Sequence, residues 1–183
     1  MGSKLTVSPG FCLLWALSLL LLPLRWALGA LTAALVHECA HYVTIRLLGG
    51  QVLGISLAGN GAIMETLPMS PGREALCALA GPMGSFLLLF MTEYFPEAAI
   101  CGVIQGGYNL IPVFPLDGGR IMGCLFSERI CRVIAIIFIV LLAGFSLWIG
   151  MFYWKFAMIL FIMALISVIR GKFTCKEAGT AVQ

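Results

Sequence analysis

Charge is what this chain has least of. Only 10% of its 183 residues are charged, and the formal net charge is +3. A soluble domain carries about 25%. No basic run is long enough to track a phosphate backbone, so no nucleic-acid partner is expected. Histidine is scarcer still, with two residues, and aspartate occurs once, at Asp117. No internal repeat or low-complexity tract is present, which excludes solenoids and arrays. Cysteine is not scarce, but its seven residues (12, 39, 77, 101, 124, 131 and 175) are odd in number and scattered through apolar segments. That pattern excludes a disulfide framework and reads as free thiols acting as small hydrophobes.

What the chain does have is apolar surface. Hydrophobic residues make up 61% and the mean hydropathy is +1.06, against about 45–50% apolar residues in soluble domains. The expected class is an all-α polytopic membrane protein, a single membrane-embedded domain over 1–183. Lys4, the apolar run Phe11–Leu22 and the small residues Ala27–Gly29 resemble a secretory signal. Residues 11–28 are nevertheless long enough to span a bilayer, which takes about 17–25 residues. They read as a retained first helix, kinked or ended near Pro23.

About six helices are expected. The first covers roughly 10–28 and the second roughly 30–48, stopping at Gly49-Gly50. Partial alternation in 51–66 and the turn signal Gly59-Asn60-Gly61 predict a small β-hairpin, with strands at 51–58 and 62–66. A third helix follows at about 73–92 and a fourth at about 98–111, ending in NLIPVFPLDGGR, whose prolines and glycines stop regular helix. Residues 133–169 hold two further spans with a tight turn near Phe152–Lys155, or one span and a re-entrant piece. With the N-terminus inside, nine Lys and Arg residues fall on one face of the membrane. Only Arg25 and Lys155 fall on the other. That positive-inside bias makes both termini cytoplasmic.

Against this background the stretch LVHECAHY stands out. His37 and His41, the chain's two histidines, are four residues apart and so share a helix face. H-E-x-x-H is the arrangement in which two imidazoles hold zinc and the glutamate acts as general base. A purely structural role, two buried histidines bridging helices, is the competing reading, and the cost of ionisable groups in lipid weighs against it. Catalytic zinc takes three protein ligands and one open position. Asp117, in Pro-Leu-Asp-Gly-Gly, reads alone as either a turn residue or a ligand. Its expected depth beside the histidines favours the ligand, giving one zinc held by His37, His41 and Asp117. Glu38 is placed to carry a proton between water and a leaving amine, whereas Cys39 points to another face. Asn109 reads equally well as an oxyanion donor or as a cap where the fourth helix unwinds.

The sequence H37-E38-C39-A40-H41 on one span, A80-G81-P82 on the next and N109-L-I-P-V-F-P-L-D117-G-G-R on the third resembles the site-2 protease family of intramembrane zinc metalloproteases. The likeness covers a three-helix catalytic core, about residues 30–122, with accessory helices at about 10–28 and 133–169. It implies hydrolysis of peptide bonds within the membrane, with His37, His41 and Asp117 on zinc, Glu38 as base and Asn109 in the catalytic machinery. It also implies a single-span or membrane-tethered protein substrate, received in extended form at the β-segment, with an oligomer or inhibitory partner as a further option. NLIPVFPLDGGRI is similar to the bacterial stage IV sporulation branch, whose members cleave a membrane-tethered sigma-factor precursor. Many members of that branch carry a regulatory CBS domain after the last span, and none is expected within these 183 residues. A bacterial cell membrane is the implied location, and an anti-sigma factor is an equivalent substrate class. The competing reading is a non-catalytic membrane protein of the same fold. Gly81-Pro82 and Gly84 are expected to let the third helix pack closely on the catalytic helices.

Overall fold

The protein is described by a computed structural model that covers residues 4–58 and 61–150. The predicted turn at Phe152–Lys155, the sixth helix and the 59–60 hairpin tip lie outside the described residues. The chain divides into two compact units, residues 1–109 and 110–183.

The first unit opens on a strand that the sequence reading did not anticipate, β1 (Lys4–Val7). It runs directly into α1 (Pro9–Leu21), where Ser8 caps the helix by accepting from the Phe11 amide and Pro9 occupies the first turn. The expected first helix at 10–28 is therefore shorter. Pro23 cannot continue the α1 hydrogen-bond ladder, and the residue before it is pushed to extended backbone, as Leu22 is at ψ 145°. Residues 24–28 belong instead to α2 (Leu24–Leu47), the 24-residue helix that carries the histidines.

α2 ends at Gly49, whose φ of 78° suits glycine. The chain then forms β2 (Val52–Ala58) and β3 (Gly61–Thr66), the antiparallel hairpin expected, with an irregularity at Val52–Gly54. The hairpin is not alone. β1 pairs in parallel with β2, Lys4 opposite Gly54 and Val7 opposite Leu57, giving a three-stranded sheet of order β1-β2-β3.

α3 (Pro71–Leu87), continued by a 3-10 turn at Leu88–Met91, and α4 (Pro96–Asn109) pack with α2. The buried stripes consist of small residues. On α2 they are Ala27, Gly29, Ala33, His37, His41 and Ile45, mostly at intervals of four. Cys77, Ala78, Gly81, Pro82, Gly84 and Ser85 face inward from α3, and Ala98, Ala99, Gly102 and Gly106 from α4. Such stripes let helix backbones approach closely. A Cβ on Gly102 would lie 2.6 Å from the Ser85 carbonyl oxygen, so α4 touches α3 backbone to side chain-free backbone.

In the second unit, residues 110–116 form an irregular loop with a cis Phe114–Pro115 bond, followed by α5 (Asp117–Leu125) and α6 (Glu128–Gly150). α5 is a helix that the sequence reading missed, and α6 starts five residues earlier than the expected 133. The Cys131 thiol donates to the Met122 carbonyl and joins the start of α6 to α5.

By length and apolarity two helices among the described residues suffice to cross a membrane, Pro71–Met91 and Glu128–Ser146. α1, at 13 residues, and α4, at 14, are shorter than a typical span. No disulfide joins the six cysteines among the described residues.

Candidate metal centre

His37 and His41 stand one turn apart on the buried face of α2, 3% and 8% exposed. Their rings meet edge to face, 4.8 Å between centroids and 83° between planes. The two Nε2 atoms are 3.2 Å apart. Two nitrogens at about 2.0–2.1 Å from one tetrahedral zinc are about 3.3 Å apart, so this donor pair fits the ion.

The other nitrogen of each ring is engaged by α3. His41 Nδ1 lies 2.7 Å from the Cys77 carbonyl oxygen, and His37 Nδ1 lies 2.9 Å from Ser85 Oγ. A carbonyl can only accept, so His41 donates Nδ1–H and keeps the Nε2 lone pair for a metal. Outer contacts of this type fix the tautomer and ring orientation of metal-binding histidines.

Gly81, on α3 one turn beyond Cys77, faces the same two nitrogens. A Cβ there would stand 2.2 Å from His41 Nε2 and 2.8 Å from His37 Nε2. The sequence reading gave this glycine to helix packing, and that is right for Gly84, whose Cβ would meet Ala40. At Gly81 the neighbours are the imidazoles themselves, and the absent side chain leaves a cradle on their metal-binding side.

Glu38, next on α2, is half-buried and holds interactions of its own. Cys39 is exposed, in keeping with its expected place on another face. Asn109 is the last residue of α4, and its Nδ2 donates to the Gln105 carbonyl at 3.1 Å. It therefore caps its own helix end, with a second amide hydrogen for another acceptor.

Asp117 belongs to the second unit and is buried, 7% exposed. It does not stand at the end of the fourth helix, the place expected from sequence, but opens α5 after the seven-residue loop 110–116. The following glycines explain the local fold. A Cβ on Gly118 would enter the Leu110 carbonyl, and one on Gly119 would lie 2.4 Å from the Phe114 amide nitrogen. Only glycine lets the loop fold back on the first turn of α5, where a carboxylate also suits the helix dipole. His37 and His41 in the first unit and Asp117 in the second are each buried, and all three are of metal-ligating type.

The sequence reading missed Ser85 and the Cys77 carbonyl. A backbone carbonyl has no sequence signal. Ser85 had a weak one, as a lone hydroxyl on the small-residue face that begins at Gly81.

No family model matches the chain. It is 29% identical over 113 residues to a zinc metalloprotease of Methanocaldococcus jannaschii, a match covering 53% of this chain and 33% of that protein. Over 143 residues it is 25% identical to stage IV sporulation protein FB of Bacillus subtilis, covering 69% of this chain and 49% of that one. The matches thus span one third to one half of these relatives' lengths. The fold is similar to that of the site-2 protease from Methanocaldococcus jannaschii, with a TM-score of 0.61, 23% identity, and coverage of 97% of this chain and 91% of that one. Three helices, a small sheet, the paired imidazoles and these likenesses agree in their direction, and what the chain resembles is the site-2 protease family of zinc metalloproteases.

Proposed function

We propose that the chain is a zinc-dependent endopeptidase that cuts membrane-tethered proteins inside the bilayer. The observation that carries this reading is the pair of buried imidazoles, Nε2 atoms 3.2 Å apart and Nδ1 atoms engaged by α3. His37, His41 and Asp117 would hold one zinc. Bound there, zinc supplies Lewis acidity and brings the pKa of its water to about 7.

The chain's own groups do the rest. Glu38 takes the proton of the attacking water and delivers it to the leaving amine. Asn109 turns its second amide hydrogen to the oxyanion as charge develops, a contribution that gains strength where water is excluded. The sheet presents an edge at β3, to which an unwound substrate segment adds by main-chain hydrogen bonds.

Membrane embedding is supported by what stays uncovered. α1 buries no residue, and Leu13, Leu20 and Leu21 are 69–81% exposed. α6 likewise presents Val133, Ile136, Ile137, Val140 and Leu141 outward. Apolar surface this extensive needs lipid or protein against it. In the proposed layout of about six spans both termini are cytoplasmic. The substrate class is a single-span or tethered protein, with a sigma-factor precursor or anti-sigma factor as the regulatory example suggested by the sporulation relative.

The test is zinc per chain by elemental analysis of full-length protein in mild detergent, alongside His37→Ala, Asp117→Ala and Glu38→Ala. About one zinc is expected in the wild type and in Glu38→Ala, and little in the other two. Cleavage of a single-span reporter in vesicles by the wild type, but not by Glu38→Ala, completes the reading. A folded wild type that holds no zinc, or keeps it in Asp117→Ala, points instead to a non-catalytic protein of the same fold.

A further inference from the structure

We infer that Ser85 is a positioning residue for zinc: its hydroxyl accepts Nδ1–H of His37 and thereby aims His37 Nε2 at the ion. The inference rests on the metal-site reading above and extends it to a side chain that makes no contact with metal.

Ser85 is completely buried on α3, the helix that also supplies the Cys77 carbonyl and the Gly81 cradle. Cys77, Gly81 and Ser85 are four residues apart in turn, so one face of α3 lines both imidazoles over two helical turns. The two contacts differ in kind. Cys77 offers a carbonyl, a fixed acceptor that main chain alone provides. Ser85 offers a hydroxyl, which both donates and accepts. His41 is therefore held in one tautomer by the fold itself. At His37 the metal-competent tautomer is favoured when Ser85 turns a lone pair toward Nδ1.

Packing alone does not account for a serine here. Alanine would fill almost the same volume, and Ala33, Ala78, Ala98 and Ala99 do so at comparably buried positions in the same bundle. Without the hydroxyl, Nδ1–H of His37 would lose its 2.9 Å acceptor on α3. The loss is larger with metal bound, because an imidazole that gives its lone pair to a cation is a stronger donor.

The test uses full-length protein in detergent, prepared as wild type, Ser85→Ala and Ser85→Thr. Zinc affinity is measured by chelator competition. Ring nitrogens are followed by NMR of 15N-histidine-labelled protein, in which two histidines give four signals and His37→Asn assigns them. Ser85→Ala is expected to weaken zinc about 10- to 100-fold and to move the His37 Nδ1 signal while His41 stays in place. Ser85→Thr, which keeps the hydroxyl, is expected to bind within about threefold of wild type. Unchanged affinity in Ser85→Ala overturns the inference, as does a shift of both rings alike, which would mean that the serine only packs. If the variants do not fold, the wild type still decides. A zinc-loaded His37 carrying its proton on Nε2 refutes the assignment. Failure of the wild type to bind zinc at all refutes the metal site itself, a separate outcome.

Discussion

Replacing Gly81 by alanine adds a single methyl group, and the structure says where it goes. The new Cβ would stand 2.2 Å from His41 Nε2, where ordinary contact begins at 3.4 Å, an overlap of 1.2 Å (3.4 less 2.2). It would also lie 2.5 Å from His41 Cε1 and 2.8 Å from His37 Nε2. Backbone relief is poor, because α3 is fixed against α2 at Gly84 and against α4 at Gly102. The His41 ring can swing clear only by giving up its 2.7 Å bond to the Cys77 carbonyl. Overpacking costs about 1–3 kcal/mol, and a buried donor left unpaired about 1–3 kcal/mol more. In metal-free protein the ring relaxes outward; to load zinc it must return, so the cost falls mainly on binding. At about 3 kcal/mol, zinc affinity drops about 100-fold, since about 1.4 kcal/mol is a factor of ten.

Chelator competition on Gly81→Ala measures the drop, with Gly107→Ala as the control. Gly107 has nothing within 4 Å of its would-be Cβ, and that variant should bind zinc as the wild type does. Unchanged zinc affinity in folded Gly81→Ala refutes the cradle, and with it the claim that α3 borders the metal-binding side of the imidazoles.

Other substitutions separate the remaining roles. Glu38→Gln should keep its zinc and lose cleavage of a single-span reporter by about 10²–10⁴-fold; loss of zinc in this variant would make Glu38 a ligand. Asn109→Ala should keep zinc and lose about 10²–10³-fold in turnover if its second amide hydrogen meets the oxyanion. A change of only a few-fold, with a lowered Tm, would reduce it to the cap seen at Gln105. Gly102→Ala should cost about 1–3 kcal/mol in thermal unfolding by forcing α4 from α3. Arg132→Ala removes an ion pair to Glu128 whose partners are both 54% exposed, and should change stability by less than about 0.5 kcal/mol.

What was legible in the sequence followed from strong local rules. The i, i+4 spacing of His37 and His41 put both on one face, and the hairpin announced itself through alternation around Gly-Asn-Gly. What escaped lacked such rules. β1 is four residues long, and its pairing is set by β2, fifty positions away. α5 contains three glycines in nine residues, poor helix formers, of which Gly118 and Gly119 are required by the loop pressed against them. The first helix boundary turned on whether Pro23 bends a helix or ends it, and here it ends one and precedes another. The partners of the imidazole Nδ1 atoms come from a second helix, a tertiary fact that spacing along one chain does not encode.

The parallel pairing of β1 with β2 also bears on how this protein is made. Residues 4–7 leave the ribosome before their partners, residues 54–57, which follow fifty residues later. At about 5–20 residues per second that is a wait of about 3–10 s. Both α1 and α2 are synthesised in the interval, so the sheet can close only after the histidine helix exists. Nascent chains arrested before and after residue 57 emerges would differ in whether the N-terminal strand is protected, and the sheet becomes a timestamp on the biogenesis of the helix that carries the metal ligands.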